Sequence, residues 1–389
     1  MEEQFKKGFF EFIAATDAEK VHSQTIGWIF SPNSKNLSSN QKMQILFDLF
    51  DNQDLELADF EVERVFVEFK DIDILIVCKN FVIVIENKIK STQHSNQLNK
   101  YENIISEINE FNSKLYKPKF IYLTLFGESA KNGNWKELSY SKLHDVIISN
   151  LSEFTISPEI DIQEHYILKS YLNTINQLTS ALDWIENDSQ VRKWVFQNGD
   201  FAKSNIFNYD FVGKSSRIRY LAENGLVRFI QKYYYKKVID YLNNQLQLIN
   251  VSFFYESSSR NGGGLIQITF NELAFTIDGE QYNIGYQIQG DSEKYNVANV
   301  KYVSSGKTEL NKMKQIVNLT AELDELKRIL RFSKRNPGQS KPYASISNKL
   351  DENLVYCTPK ELADYIAKVT KNRYNSLVEF KNRISPKSL

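Results

Sequence analysis

Cysteine is nearly absent from this 389-residue chain: only Cys78 and Cys357 occur. Two thiols cannot build a disulfide framework or a four-thiolate zinc site, so a cytoplasmic protein with reduced thiols is expected. Histidine is also scarce. His22, His94, His144 and His165 include no pair spaced i,i+4 and have no cysteine cluster beside them, which argues against a zinc enzyme. No apolar run approaches the roughly 20 residues of a membrane span, and the most hydrophobic short stretch, Phe81 to Ile85, is strand-sized. The opening MEEQFKKGFFEF has acids at its start and no small-residue cleavage site, so it does not read as a signal peptide. Gly213-Lys214-Ser215 resembles the end of a phosphate-binding loop, but Asn208 stands where the first glycine belongs.

What is present describes a globular chain, with 42% hydrophobic and 25% charged residues. Net charge is zero, from 48 basic and 48 acidic residues. The balance conceals an asymmetry. Residues 1–180 carry 26 acids and 18 bases, and residues 181–389 carry 22 acids and 30 bases, a change from −8 to +8. Either the second half binds a polyanion or two ordinary domains scatter their charges unevenly.

Apolar spacing predicts helices over 4–15, 19–30 and 39–51. Three strand-like runs follow, Glu61 to Phe69, Ile72 to Cys78 and Phe81 to Glu86. A helix is expected over 91–113, a strand from Lys119 to Leu125, and helices over 141–154 and 162–187. The second half predicts a long helix over 219–246, strands over 250–257, 264–270, 273–278 and 282–289, and helices over 308–333 and 359–383. Gly262-Gly263-Gly264 and Asp278-Gly279 mark turns. The expected division is 1–187 and 188–389, the second part an α+β domain.

The chemistry concentrates between Lys70 and Tyr101. If Lys79-Asn80 closes a two-residue hairpin, Cys78 pairs with Phe81, Asp73 falls opposite Glu86, and Asp71 falls opposite Lys88. Alternation puts Glu86 and Lys88 on one face. Facing carboxylates about 5 Å apart repel unless a cation lies between them. A hard divalent ion suits such oxygens. The competing reading is a solvated hairpin face, but these acids interrupt runs that otherwise look buried.

Ile72-Asp73-Ile74-Leu75-Ile76, then Ile85-Glu86-Asn87-Lys88-Ile89, then Gln97-Leu98 and Tyr101 resemble the PD-(D/E)XK nuclease superfamily. The resemblance is greatest to its RecB-like branch, with a Q-x-x-x-Y helix. Glu19-x-x-His22-Ser23, Tyr122-Leu123-Thr124 and Trp135-x-x-Leu138-Ser139-Tyr140 add to it over about residues 10–180. It implies a restriction-endonuclease-like mixed sheet flanked by helices, with the α+β part appended. It implies Asp73, Glu86 and the Asn87 carbonyl as metal ligands for Mg2+, with Mn2+ able to substitute. Lys88 would activate water and stabilise phosphate charge, and Glu19 would complete the site. Gln97 and Tyr101 would contact substrate or support the metal shell. Ile72 stands where the name-giving motif has proline, and Asp71 is a rival to Asp73. The expectation is a metal-dependent nuclease acting on DNA, in bacterial defence or mobile-element biology. The alternative is an inactive nucleic-acid-binding protein on the same fold.

One further stretch bears on substrate. Lys327 to Lys349 holds Lys327, Arg328, Arg331, Lys334, Arg335, Lys341 and Lys349 and no acid. Arg331, Lys334 and Arg335 are the expected phosphate contacts. A basic helix C-terminus followed by a loop is the plain alternative. Tyr233, Tyr234 and Tyr235 suggest base stacking, although a helical context makes at least one of them core.

Overall fold

The computed structural model describes residues 8–13, 15–50, 55–89, 97–112, 117–130, 132–151, 160–198, 203–246, 250–255, 264–277, 280–299, 324, 327–331, 334–336 and 343–384. They form two compact units. The first comprises Met1–Leu182 and Phe211–Leu226, and the second Asp183–Asp210 and Val227–Leu389.

In the first unit, helices α1 (Phe9–Phe12), α2 (Glu19–Phe30) and α3 (Ser39–Phe50) precede strands β1 (Val62–Phe69), β2 (Ile72–Cys78) and β3 (Val82–Lys88). Then come α4 (Gln97–Glu107), α5 (Asn109–Asn112), β4 (Lys119–Thr124), β5 (Trp135–Ser139), α6 (Tyr140–Leu151) and α7 (Ile162–Asn187). The five strands pair in sequence order, β1 to β3 antiparallel and β3 to β5 parallel. This is the expected mixed sheet. β2 and β3 read as continuous Val/Ile runs because helices cover both faces. Val82 and Val84 pack with Leu98, Tyr101 and Ile105 of α4, while α2 lies against β1, β2 and β3.

Gly27 sets how closely α2 approaches the sheet, since a Cβ there would stand 2.4 Å from Val67 Cγ2. Gly27→Ala is therefore expected to force α2 outward and cost about 1–3 kcal/mol by overpacking, measurable as a lower urea midpoint. Lys42, buried in α3, donates to the carbonyls of Ser31 and Ser34 at 2.5 and 2.6 Å and so closes the turn after α2. The fifth strand, WKELS, was not expected; it is short and pairs with β4 only.

After α8 (Ser189–Gln197) in the second unit, α9 (Ser216–Glu223) belongs to the first. The single helix expected over 219–246 is two, α9 and α10 (Val227–Gln245). Gly225 takes φ +63°, and the amides of Gly225 and Leu226 donate to the carbonyls of Ala222 and Leu221, a glycine-ended helix stop.

The second sheet holds β6 (Asn250–Tyr255), β7 (Gly264–Thr269), β8 (Phe275–Ile277), β9 (Glu280–Gln289), β10 (Ser292–Asn299), β11 (Lys334–Asn336) and β12 (Tyr343–Lys349). Its order is β11-β12-β10-β9-β7-β6, with β8 on β9. Helices α11 (Glu352–Val355) and α12 (Pro359–Ile384) follow. α12 packs on α10, and α10 on β6 and β7. The basic stretch opens on helical residues, 327–330, as the plain alternative has it, but it continues into β11 and β12 where a loop was the expectation. Most of the helix expected over 308–333, and the turn residues 262–263 and 278–279, lie outside the described residues. Tyr233, Tyr234 and Tyr235 are all buried in α10, so as core side chains none of them offers a face for base stacking. Among the described residues no helix is long and apolar enough to cross a membrane.

Candidate active site

The hairpin register is the one the sequence predicts. Ile74 pairs with Ile85, and the ladder runs to Val77 with Val82. The Cys78 amide donates to the Phe81 carbonyl at 2.9 Å. One step beyond Ile74 the backbone ladder ends and a side chain takes over, the Asn87 amide donating to Asp73 Oδ2 at 2.7 Å. That bond fixes the Asp73 carboxylate beside Glu86. On its other edge β3 pairs with β4 along its length, from Ile83 with Lys119 to Lys88 with Thr124. Because the β2–β3 ladder stops at Ile74 with Ile85, Asp71 does not face Lys88. It sits in the β1–β2 turn at φ +69°, and Lys100 Nζ lies 2.6 Å from its exposed carboxylate. The rivalry between the two aspartates is thereby decided on geometry in favour of Asp73 as the neighbour of Glu86.

Glu86 is 0% exposed. Its Oε1 lies 2.6 Å from Lys88 Nζ, yet neither carboxylate oxygen accepts an aligned hydrogen bond from the described residues. A buried carboxylate left so poorly partnered is costly. Burial first, and the facing Asp73 carboxylate second, push Glu86 up to about 7. Burial also raises Asp73, against the Asn87 N–H bond that lowers it. Burial works to lower Lys88, but Glu86, Asp73 and Glu19 outweigh it and hold the ammonium above the usual lysine value.

Asn87 points to the other side of β3 and is 0% exposed. Its Nδ2 donates to the Glu19 carbonyl and to Ser23 Oγ, each at 3.0 Å, and its Oδ1 accepts from Tyr140 Oη at 2.6 Å. Glu19 Oε1 accepts the Ile89 amide at 2.9 Å. The first turn of α2, the end of β3 and the start of α6 are thus tied together behind the carboxylates. His22 extends this support: Nε2 donates to the Thr16 carbonyl at 2.9 Å, and Nδ1 accepts from Tyr171 Oη at 3.0 Å. Burial holds that imidazole down at about 4, so it is neutral.

Gln97 and Tyr101 form a relay within the protein. Gln97 Nε2 donates to Tyr101 Oη at 2.8 Å, and Tyr101 Oη donates to the Asp71 carbonyl at 2.5 Å. Tyr101 is buried against the Glu86 side of the sheet, so its place is under the site and not on a solvent-facing strand contact. His94 lies outside the described residues. Arg331, left-handed at φ +58° and exposed, Lys334 and Arg335 belong to the second unit.

Two contributors carried no readable signal. Glu68, at φ +57° within β1, is near enough for its charge to raise Asp73. The Asn87 side chain has partners 53 to 68 residues away, beyond what local spacing reveals.

Among the described residues no three His, Cys, Asp or Glu side chains stand together as a metal cage. The donor set is a carboxylate pair, Asp73 and Glu86, with Glu86 Oε1 in contact with the Lys88 ammonium. That fits a hard divalent cation that keeps several waters and shares substrate oxygens, the habit of Mg2+. The carboxylate pair and the lysine stand on neighbouring strands, β2 and β3, the second and third of the five-stranded mixed sheet. The PD-(D/E)XK nuclease superfamily profile matches residues 7–209, more than half of the chain, and the chain belongs to that superfamily. No curated protein and no solved structure is significantly similar to it.

Proposed function

We propose that the protein is a nuclease that hydrolyses phosphodiester bonds in DNA with Mg2+, or Mn2+ in its place. The observation that carries this reading is Glu86, a fully buried carboxylate without an aligned hydrogen bond, facing Asp73 and in contact with Lys88. Asp73 and Glu86 hold the cation, together with the Asn87 carbonyl that the family motif supplies. When bound, the cation neutralises phosphate charge and lowers the pKa of a coordinated water. Lys88 holds its proton and presents a fixed positive charge where negative charge develops on phosphate. Glu19 keeps the strand end in place through the Ile89 amide. Asn87 and Tyr140 brace the same strand from behind.

Purified protein is expected to cleave plasmid DNA in Mg2+ and to stop on addition of a chelator. Lys88→Met is expected to slow cleavage roughly a hundredfold, the scale of losing one preorganised charge, while DNA still binds in a mobility-shift assay. Binding without cleavage by the parent in either metal would instead identify the inactive binding protein.

A further inference from the structure

The hairpin of β1 and β2 places a third acid beside the carboxylate pair. Its register is the same on either side of Glu68, Val67 with Ile74 and Phe69 with Ile72, so Glu68 falls opposite Asp73. Asp73 in turn neighbours Glu86. Glu68, Asp73 and Glu86 therefore follow one another across three adjacent strands, and they are exposed, half-buried and fully buried in that order. At about 4.8 Å per strand this row of acids spans roughly 10 Å.

An acid at this place costs the fold stability. Like charges opposite one another on neighbouring strands are destabilising, and the Glu68 charge reaches the Asp73 carboxylate. Among the described residues no hydrogen bond or ion pair engages the Glu68 carboxylate in return. Its backbone stands at φ +57°, where glycine sits freely and a side chain does not. The first turns of α4 hold the hairpin in this shape, through the Tyr101 hydroxyl on the Asp71 carbonyl and the Lys100 ammonium on the Asp71 carboxylate. At the inner end of the row Glu86 is 0% exposed and neither of its oxygens accepts an aligned hydrogen bond. Three ionised carboxylates against the one ammonium of Lys88 leave a charge of −2, which a single divalent cation cancels. Without Glu68 the remainder would be −1.

We infer that Glu68 is the third acid of the cation site and holds the ion through one of the ion's own waters. Asp73 and Glu86 remain the direct ligands, because no three acidic side chains among the described residues stand close enough to share one ion. A carboxylate acting through one water stands roughly 4–5 Å from the ion, about one strand spacing along this row. Magnesium keeps several waters when bound, and a partner that orients such a ligand strengthens the site. As the exposed end of the row, Glu68 is also where a hydrated cation first meets it. Glu68 is thus a positioning residue, one that holds a metal-bound water and does not touch the phosphate. The inference rests on the nuclease reading for the cation at Asp73 and Glu86, and its test is independent of cleavage.

The experiment titrates the full chain with Mn2+ alone, without DNA, and reads affinity by calorimetry and by the paramagnetic resonance of free Mn2+. Glu68→Gln is compared with Glu63→Gln, an equal charge change at an exposed position of the same strand. Glu68→Gln is expected to bind Mn2+ roughly tenfold more weakly than the parent, the scale of losing a partner outside the direct ligands. Glu63→Gln is expected to stay near the parent. Glu68→Gly separates the carboxylate from the backbone, since glycine suits the left-handed conformation. It should lose as much affinity as Glu68→Gln while melting, in chelator, at or above the parent. Parental affinity in Glu68→Gly or in Glu68→Gln would mean that residue 68 only shapes the turn, and would overturn the inference. Equal losses in Glu68→Gln and Glu63→Gln would overturn it as well, since any nearby charge would then serve. Either result in a chain whose parent cleaves DNA leaves the nuclease reading intact. A parent that binds Mn2+ with the help of Glu68 but cuts no DNA would uphold the inference and remove the nuclease reading. A parent that binds no Mn2+ would remove both.

Discussion

Glu86→Gln is expected to remove cleavage and, without metal, to make the protein more stable at pH 8. The activity loss is about a thousandfold or more, since the carboxylate lies at the centre of the charge arrangement the reaction uses. The gain in stability follows from charge counting. Asp73, Glu86 and Lys88 carry two negative charges and one positive, with Glu86 and Lys88 buried and Asp73 half-buried, and Gln leaves one of each. Glu86 is raised in the folded protein from 4.5 to about 7. The folded state therefore holds this proton more tightly than the unfolded chain does. Its favourable contribution is complete below pH 4.5 and is lost as pH rises through about 7. Metal-free parent should lose stability across that window, and Glu86→Gln should lose less. Because Lys88 gives up a partner in the variant, the net gain at pH 8 is on the order of 1 kcal/mol, smaller than a shift of this size would give alone. Excess Mg2+ or Mn2+ should reverse the order, stabilising the parent by about 2–3 kcal/mol at a hundred times its dissociation constant. Thermal melts of both proteins with metal and with chelator would check it. A variant that gains as much from metal as the parent would remove Glu86 from the ligand set.

Asn87→Ala should cost about 3–5 kcal/mol, the largest stability loss expected of any single change near the site. Truncation removes three hydrogen bonds of a buried side chain, at about 0.5–1.5 kcal/mol each, and takes the acceptor of the buried Tyr140 hydroxyl away, while the Ser23 hydroxyl still donates to the Glu19 carbonyl. Tyr140→Phe removes only one of the three bonds and should cost about 1–2 kcal/mol. Urea titrations followed by far-ultraviolet circular dichroism would rank them. The order Asn87→Ala, then Tyr140→Phe, then parent is the expected result. Equal midpoints for Asn87→Ala and parent would mean that water replaces the network without loss.

Legibility differed with the range of the interactions involved. The bounds of β2 and α2 could be read from sequence because each follows from its own side-chain period. The Asp73–Glu86 juxtaposition could be read because a two-residue turn fixes register over a few steps. Where that register gives way, at Asp71, the reading failed, since the β2–β3 ladder stops at Ile74 with Ile85 and Asp71 belongs to the turn between β1 and β2. β10 and β12, SEKYNVAN and YASISNK, hold few branched residues and are strands because of their neighbours.

The assignment of α9 to the first unit has a consequence for synthesis of the chain. The polypeptide passes from the first unit to the second after Leu182, returns at Phe211, and leaves again after Leu226. No single cleavage of the backbone yields the first unit whole. A fragment ending at 187 would lack Ile218, Tyr220 and Leu221, whose side chains are buried. On the ribosome, the sheet that carries Asp73 and Glu86 would be complete in sequence well before its last helix emerged. Native closure of that unit must therefore wait until residue 226 has cleared the exit tunnel.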